Sequence, residues 1–520
     1  AIWVVAGVLG GLPVIVLGIG ILALFAGLAV AYQFEPHIRN RIDLGTETYA
    51  TGKISTEHVH EMTRVLQEYE SVMESYGATH YQAYGTSAMR ETDNINVVLE
   101  QLEQRAGIHV DVLSNSEQRF LDYKSIALRN EEFARIIENP TAIVDIGGGS
   151  IQISLFDNDK LVTTQNMKLG VLRLHQTLNL LGSGTRKYRE MVTELVESQL
   201  TVFEKLHLKD RRFKNLIIID DYISPVMQKL KFGDCERGYA DRQRFEEFIG
   251  KTGEKSRQAL CKELNIPDEN IPLLYISGLL IRSIAGALDT EMLWAPGMTL
   301  CDGIAYEYAE RKKFIQPAHD FEQDILACAQ NISKRYMGSR SRAETLQAIA
   351  LPIFDRMKKI HGLGRRERLL LQIATILHDC GKYISLVNLG ECSYNIIMST
   401  EIIGLSHKER EIVANVVLFN HVPFEYYNDH SERYAKIDHD AYLIIAKLTA
   451  ILRVANGLDR THRQKFRDVH VTLKENENEL VINVDTMNDI TVEQGLFGNR
   501  AGFFEEIFGI RPVIRQKRMI

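Results

Sequence analysis

The sequence predicts an α/β fold that gives way to an all-helical region. Three observations point there. Strand-like and helix-like segments alternate before residue 140, as in βαβ units. Residues 141–157 (TAIVDIGGGSIQISLFD) read as a strand, a glycine turn and a second strand. From about Pro317 onward the apolar residues recur with helical period instead.

The chain opens on a stretch, Ala1 to Gln33, that contains no charged residue; the first is Glu35. It exceeds the roughly 20 apolar residues that span a bilayer. Arg39 and Arg41 follow it, which favours a cytoplasmic main body. A membrane anchor is the expectation for residues 1–33. The alternative is a buried β-hairpin, because core strands also read as continuous apolar runs. Residues 55–76 then predict an amphipathic helix capped by Ser55, with Val59, Met62, Val65, Leu66 and Val72 near one face. His80–Ala83 predicts a short strand, 96–106 a helix, and His109–Leu113 another strand. After the hairpin at 141–157, a helix is expected in 186–206. A strand at Leu216–Ile219 ends in Asp220-Asp221.

Segments 319–337, 341–360, 365–380, 393–404, 407–421 and 438–457 carry helical periodicity. After Arg467 come two strands (VHVTL and ELVINV), a short helix and a basic end from Arg511 to Met519, a small α+β element. The expected organisation is thus 1–33, 34–140, 141–316, 317–466 and 467–520.

The bulk composition narrows the function classes. At 520 residues, 45% hydrophobic and 25% charged, the chain is ordinary globular material. Its net charge of −7 gives no general attraction to nucleic acid, and none is expected as a partner. The six cysteines, Cys235, Cys261, Cys301, Cys328, Cys380 and Cys392, form no C-x-x-C pair. They read as reduced thiols in a cytoplasmic setting rather than as a disulfide framework.

Two constellations carry chemistry. In Asp145-Ile146-Gly147-Gly148-Gly149-Ser150, three glycines let the backbone approach a ligand and offer amides to an anion. The preceding aspartate suits a metal or a water. A hairpin follows the glycines, not a helix, which separates the segment from dinucleotide and Walker loops. The second constellation is His378-Asp379-Cys380-Gly381-Lys382 at a helix end.

The first constellation resembles the second phosphate loop of the exopolyphosphatase/guanosine-pentaphosphate phosphatase (Ppx/GppA) family, within the sugar-kinase/actin superfamily. Further segments match in order. Gly85-Thr86-Ser87-Ala88-Met89-Arg90 resembles its T-S-A-x-R segment, and Leu113 to Gln118 its S-G-x-E-E segment. Leu169 to Leu174 resembles its L-G-x-x-R-L segment, and Gly297 to Gly303 (GMTLCDG) the stretch closing its second domain. The resemblance covers about residues 41–315. It implies two actin-like domains with the site between them. It implies Arg90, Gly147, Gly148, Gly149 and Ser150 as phosphate contacts, Glu117 as water-activating base, and Asp145 as the residue that holds Mg2+ or positions the water.

The pattern departs from the family in three places. The opening D-L-G-S-N-S-x-R loop has no counterpart. Ile151 and Gln152 stand where the family's loop ends in Glu, and Ile219-Asp220-Asp221-Tyr222 stands where a G-G-T loop is expected. Two aspartates there would repel a phosphate chain unless a metal intervened.

The second constellation resembles HD-domain phosphohydrolases, and that resemblance implies His361, His378, Asp379 and Asp459 as ligands of a divalent metal. His421 is a further candidate. Lys358, Lys359, Arg365, Arg366 and Arg368 flank His361 and could steer a polyanion. The expected activity is release of terminal phosphate from inorganic polyphosphate, or of the 5′-phosphate of pppGpp, by a homodimer using Mg2+ or another divalent ion. The alternatives are a polyphosphate or (p)ppGpp-binding regulator with a decayed site, and a metal-dependent nucleotide phosphohydrolase acting through the HD motif.

Overall fold

The computed structural model describes residues 2–7, 42, 44–78, 80–157, 160–180, 185–208, 211–233, 235–317, 319–427, 437–466, 469–474, 476 and 478–517. The chain divides into two compact units, residues 1–320 and 321–520.

In the first unit, β1 (Ile2–Gly7), β2 (His80–Gly85) and β3 (Asp111–Val112) form a small sheet in that order. β1 runs antiparallel to β2, with Ile2 opposite Gly85 and Gly7 opposite His80, and β3 runs parallel to β2. Residues 8–33, most of the expected anchor or hairpin, lie outside the described residues. The strand expected over His109–Leu113 shortens to two residues. The helix Thr56–Ser75 starts as expected, with the Ser55 side chain accepting from the His58 amide. Its buried Val59, Met62 and Leu66 pack with Val98 and Leu102 of the helix Ile95–Ala106.

The larger sheet holds β4 (Thr141–Ile146), β5 (Ile151–Asp157), β6 (Lys160–Met167), β7 (Asn215–Asp220), β8 (Tyr239–Asp241) and β9 (Met292–Trp294). Their order is β6-β5-β4-β7-β9-β8. β4 is antiparallel to β5 and parallel to β7. Every residue of β4 is buried, as befits a central strand covered on both faces. The helix Ile271–Leu288 is apolar on nearly every side. Its Ile276, Leu279, Leu280 and Ile284 enter the same core as Ile218 and Ile223, so its membrane-like composition is that of a buried core helix.

The second unit begins with helices Phe321–Arg335, Arg340–Arg356, Arg365–Leu377, Leu389–Ser399, His407–His421 and His439–Leu458, close to the predicted segments. β10 (Val469–Lys474) and β11 (Glu479–Asp485) pair antiparallel. The helix expected to be short runs from Thr491 to Phe508, and it returns the chain so that β12 (Arg511–Lys517) adds parallel to β11. The basic end is therefore a sheet strand: Pro512, Val513 and Ile514 stand together between Arg511 and Arg515, so it has apolar side chains to pack.

Candidate phosphate site and the HD-like cluster

The glycine turn is built by close packing. The Gly147 amide donates to the Ser150 carbonyl at 3.0 Å and closes it. A Cβ on Gly170 would lie 2.2 Å from the Gly148 carbonyl oxygen, and one on Gly149 2.7 Å from the Tyr49 hydroxyl. Val171 donates to the Gly147 carbonyl, and Leu172 and Arg173 donate to that of Gly148. The helix Val171–Leu180 thus starts on the turn. The amides of Gly148 and Gly149 find no acceptor among the described residues. Arg173 lies against them: its Nε donates to the Gly149 carbonyl at 3.0 Å, its guanidinium pairs with Glu91 and sits 4.9 Å from the Tyr49 ring centre.

The helix Asn115–Ile126 carries Glu117. Ser114 and Glu117 form a reciprocal capping box, with Glu117 Oε2 accepting from the Ser114 amide at 3.0 Å. Glu117 is half-buried, and no hydrogen bond or ion pair joins it to Asp145. The rest of this helix is almost wholly buried, and Ser116, Arg119, Asp122 and Ser125 recur along it at three-residue spacing. That spacing makes an internal polar stripe.

Arg119 is the residue that the motif reading missed. Its side chain is 4% exposed and forms an ion pair with Asp145. The approach lies off the hydrogen-bonding direction, so charge holds it. Its Nη2 also donates to the Ser150 carbonyl at 3.2 Å and lies 3.4 Å from the Ser150 hydroxyl. One guanidinium therefore spans the turn from Asp145 to Ser150. One turn further on, burial and the neighbouring Asp145 carboxylate hold Asp122 well above the usual carboxylate range. The visible signal for Arg119 was a charged residue recurring at i+3 with Ser116 and Asp122 in a segment otherwise rich in buried residues.

Other predicted contacts are engaged elsewhere. Arg90 donates to the Leu113 carbonyl and to Asn115 Oδ1, fastening the start of the Glu117 helix. Ser150 is buried beside Arg119. Gln152 faces into the sheet and donates to Thr164. Asp220 turns inward and accepts from the Tyr222 amide (2.7 Å), the Ile223 amide and the Ser277 hydroxyl (2.7 Å). Burial nevertheless pushes its carboxyl up to about 7. It anchors the next helix rather than facing a phosphate chain.

In the second unit the four expected ligands do not form a set. His361 uses both ring nitrogens on backbone: Nε2 donates to the Phe354 carbonyl at 2.8 Å, and Nδ1 accepts from the Leu363 amide at 2.9 Å. His378 is fully buried. Its Nδ1 donates to the Thr375 carbonyl (2.8 Å), which leaves the Nε2 lone pair 3.7 Å from Asp379 Oδ2. Asp379 pairs with Lys382 at 2.8 Å, and Asp459 Oδ2 lies 3.4 Å from Arg342 Nε. His421 Nε2 donates to the His378 carbonyl at 2.7 Å. Three of the flanking basic residues are paired: Arg365 with Glu322, Arg366 with Glu409 and Arg368 with Asp355.

No group of three or more His, Cys, Asp or Glu side chains able to hold a metal ion occurs among the described residues. Arginine stands against an aspartate at both places where a metal was expected, Arg119 at Asp145 and Arg342 at Asp459. Among the described residues, those expected to hold a divalent ion do not fit one.

A strand–glycine turn–strand in an α/β unit, with two glycine amides that meet no acceptor among the described residues, is an arrangement able to take an anion. The chain belongs to the Ppx/GppA phosphatase family: the family model matches residues 35–311, and the model for domain III of Ppx/GppA phosphatases matches residues 326–493. The region expected to be HD-type is thus matched by the family's own third domain. The chain is 20% identical over 413 residues to a guanosine-5'-triphosphate,3'-diphosphate pyrophosphatase of Vibrio atlanticus, covering 74% of this chain and 75% of that protein. It is 25% identical over 131 residues to exopolyphosphatase 1 of Mycobacterium tuberculosis, covering 25% of this chain and 37% of that protein. Among solved structures, the Aquifex aeolicus Ppx/GppA family member aligns at a TM-score of 0.43 and 17% identity, over 53% of this chain and 89% of that one.

Proposed function

We propose that the turn Gly147–Ser150 receives the terminal phosphoryl group of inorganic polyphosphate, or the 5′-phosphate of pppGpp, and that the chain hydrolyses that phosphoanhydride bond. The observation that carries this reading is the pair of unbonded amides at Gly148 and Gly149, fixed beside Arg173. Backbone amides held in this way stabilise an anion without reorganising. The names of the relatives supply the substrate class. Among the described residues Glu117 Oε1 meets no hydrogen-bond partner while Oε2 caps its helix, which leaves one carboxylate oxygen for a water.

The test is phosphate release from polyphosphate and from pppGpp. Gly148→Val places side-chain atoms where Leu172 already lies 2.9 Å from the Cβ position, and it should abolish both release and binding. Glu117→Gln keeps the capping acceptor and should lower turnover about 10²–10⁴-fold with binding retained. Undiminished release in that variant removes Glu117 from the reaction. A second reading, a binder of polyphosphate or (p)ppGpp with little turnover, is favoured by the Arg119 hold on Asp145 and by Gln152 where the family has Glu. Tight polyphosphate binding without phosphate release would select it.

A further inference from the structure

We propose that Arg119 is a built-in cation that excludes a divalent ion from Asp145, so that the phosphate turn works with a fixed guanidinium in place of a metal. The proposal rests on the site reading above but is tested apart from it. Three features of the geometry point to it. The guanidinium is buried at 4% exposure and pairs with Asp145 at the end of β4. It reaches the other end of the turn at the Ser150 carbonyl and hydroxyl, 3.2 and 3.4 Å away. The backbone closes around it as well, for a Cβ on Gly147 would lie 3.1 Å from Arg119 Nη2.

A metal at Asp145 would meet a like charge that is already in contact with the ligand oxygen. Displacing that charge would strip a buried guanidinium of its counter-ion and disturb its bonds to Ser150. A divalent ion could take Asp145 Oδ2 only by displacing this arginine, and at the other oxygen it would face the guanidinium charge across the same carboxylate. Arg119 also carries the positive charge that a metal would have contributed near the turn, while the Gly148 and Gly149 amides remain open to an anion. Phosphate binding is then expected without added metal. Because Arg119 leaves from the helix Asn115–Ile126, the cation is positioned by the same helix that presents Glu117.

Mn2+ titration of the full-length protein, followed by electron paramagnetic resonance of the free ion, tests this without any turnover. The wild type and Asp145→Asn should give the same isotherm. Arg119→Ala should gain a site at least 10-fold tighter than any in the wild type, and the double variant Arg119→Ala/Asp145→Asn should lose it. Arg119→Met fills more of the buried space and serves if the alanine variant does not fold. A wild-type Mn2+ site that vanishes in Asp145→Asn would overturn the proposal, as would a folded Arg119 variant that gains nothing. Absence of phosphate release from every substrate would count against the hydrolase reading alone and leave the Mn2+ comparison intact.

Discussion

His378 is buried with its Nδ1 proton committed to the Thr375 carbonyl, and burial lowers its pKa to about 3. His421, which donates to the His378 carbonyl, is lowered by burial to about 4. Both are neutral in the folded protein, whereas the unfolded chain protonates its histidines near about 6.5. Between these values the unfolded state binds more protons, so acidification favours unfolding. The stability is intact above about pH 6.5 and is lost as pH falls through that value toward the folded ones. Each histidine should contribute about 1.4 kcal/mol of loss per pH unit within its window. Melting curves at pH 7.5, 6 and 5 should show the decline, and His378→Gln should flatten it. An unchanged slope in that variant would mean that other groups govern acid stability. The pair H-D was visible in the sequence. Its use was not, because the fate of an imidazole depends on which backbone carbonyl the fold brings to it.

At the scale of elements, the helix Asn115–Ile126 is held against the helix Leu300–Arg311 by contact and by charge. Lys124 Nζ meets Glu310 Oε2 at 2.8 Å, and a Cβ on Gly303 would lie 1.9 Å from the Leu121 carbonyl oxygen. Backbone cannot yield as a side chain can, so Gly303→Ala should push the two helices apart and cost about 1–3 kcal/mol. Urea denaturation should show a lower midpoint with an unchanged slope. Because the first helix carries Glu117 and Arg119, the same change should also lower phosphate binding. A variant as stable as the parent would mean that the helices separate freely. The segment GMTLCDG was legible as a motif, and the Thr299–Asp302 capping box explains part of it. Its last glycine has a reason only once the partner helix is known.

At the scale of the whole molecule, the chain divides into two compact units, residues 1–320 and 321–520, and each contains buried apolar residues. Multi-domain chains depart from two-state unfolding. Denaturation of the full chain should therefore resolve two transitions, monitored by circular dichroism and by limited proteolysis. Gly303→Ala should move the transition of residues 1–320, and acidification from pH 7 to 5 chiefly that of residues 321–520. One common transition that responds to both would show that the units unfold together.

The helix of residues 55–76, the hairpin around the glycine turn and the helical succession after Pro317 were all determined by the sequence itself. Periodicity, caps and glycines are local properties, and local sequence encodes them. The family was legible for the same reason, through short ordered motifs. What only the tertiary structure decided is the company that each charged group keeps. Arg119 and Asp145 are 26 positions apart, and Arg342 and Asp459 are 117 apart, yet each pair meets in the interior. Burial strengthens such an encounter, since a desolvated carboxylate and guanidinium have lost the water that would otherwise screen and replace it.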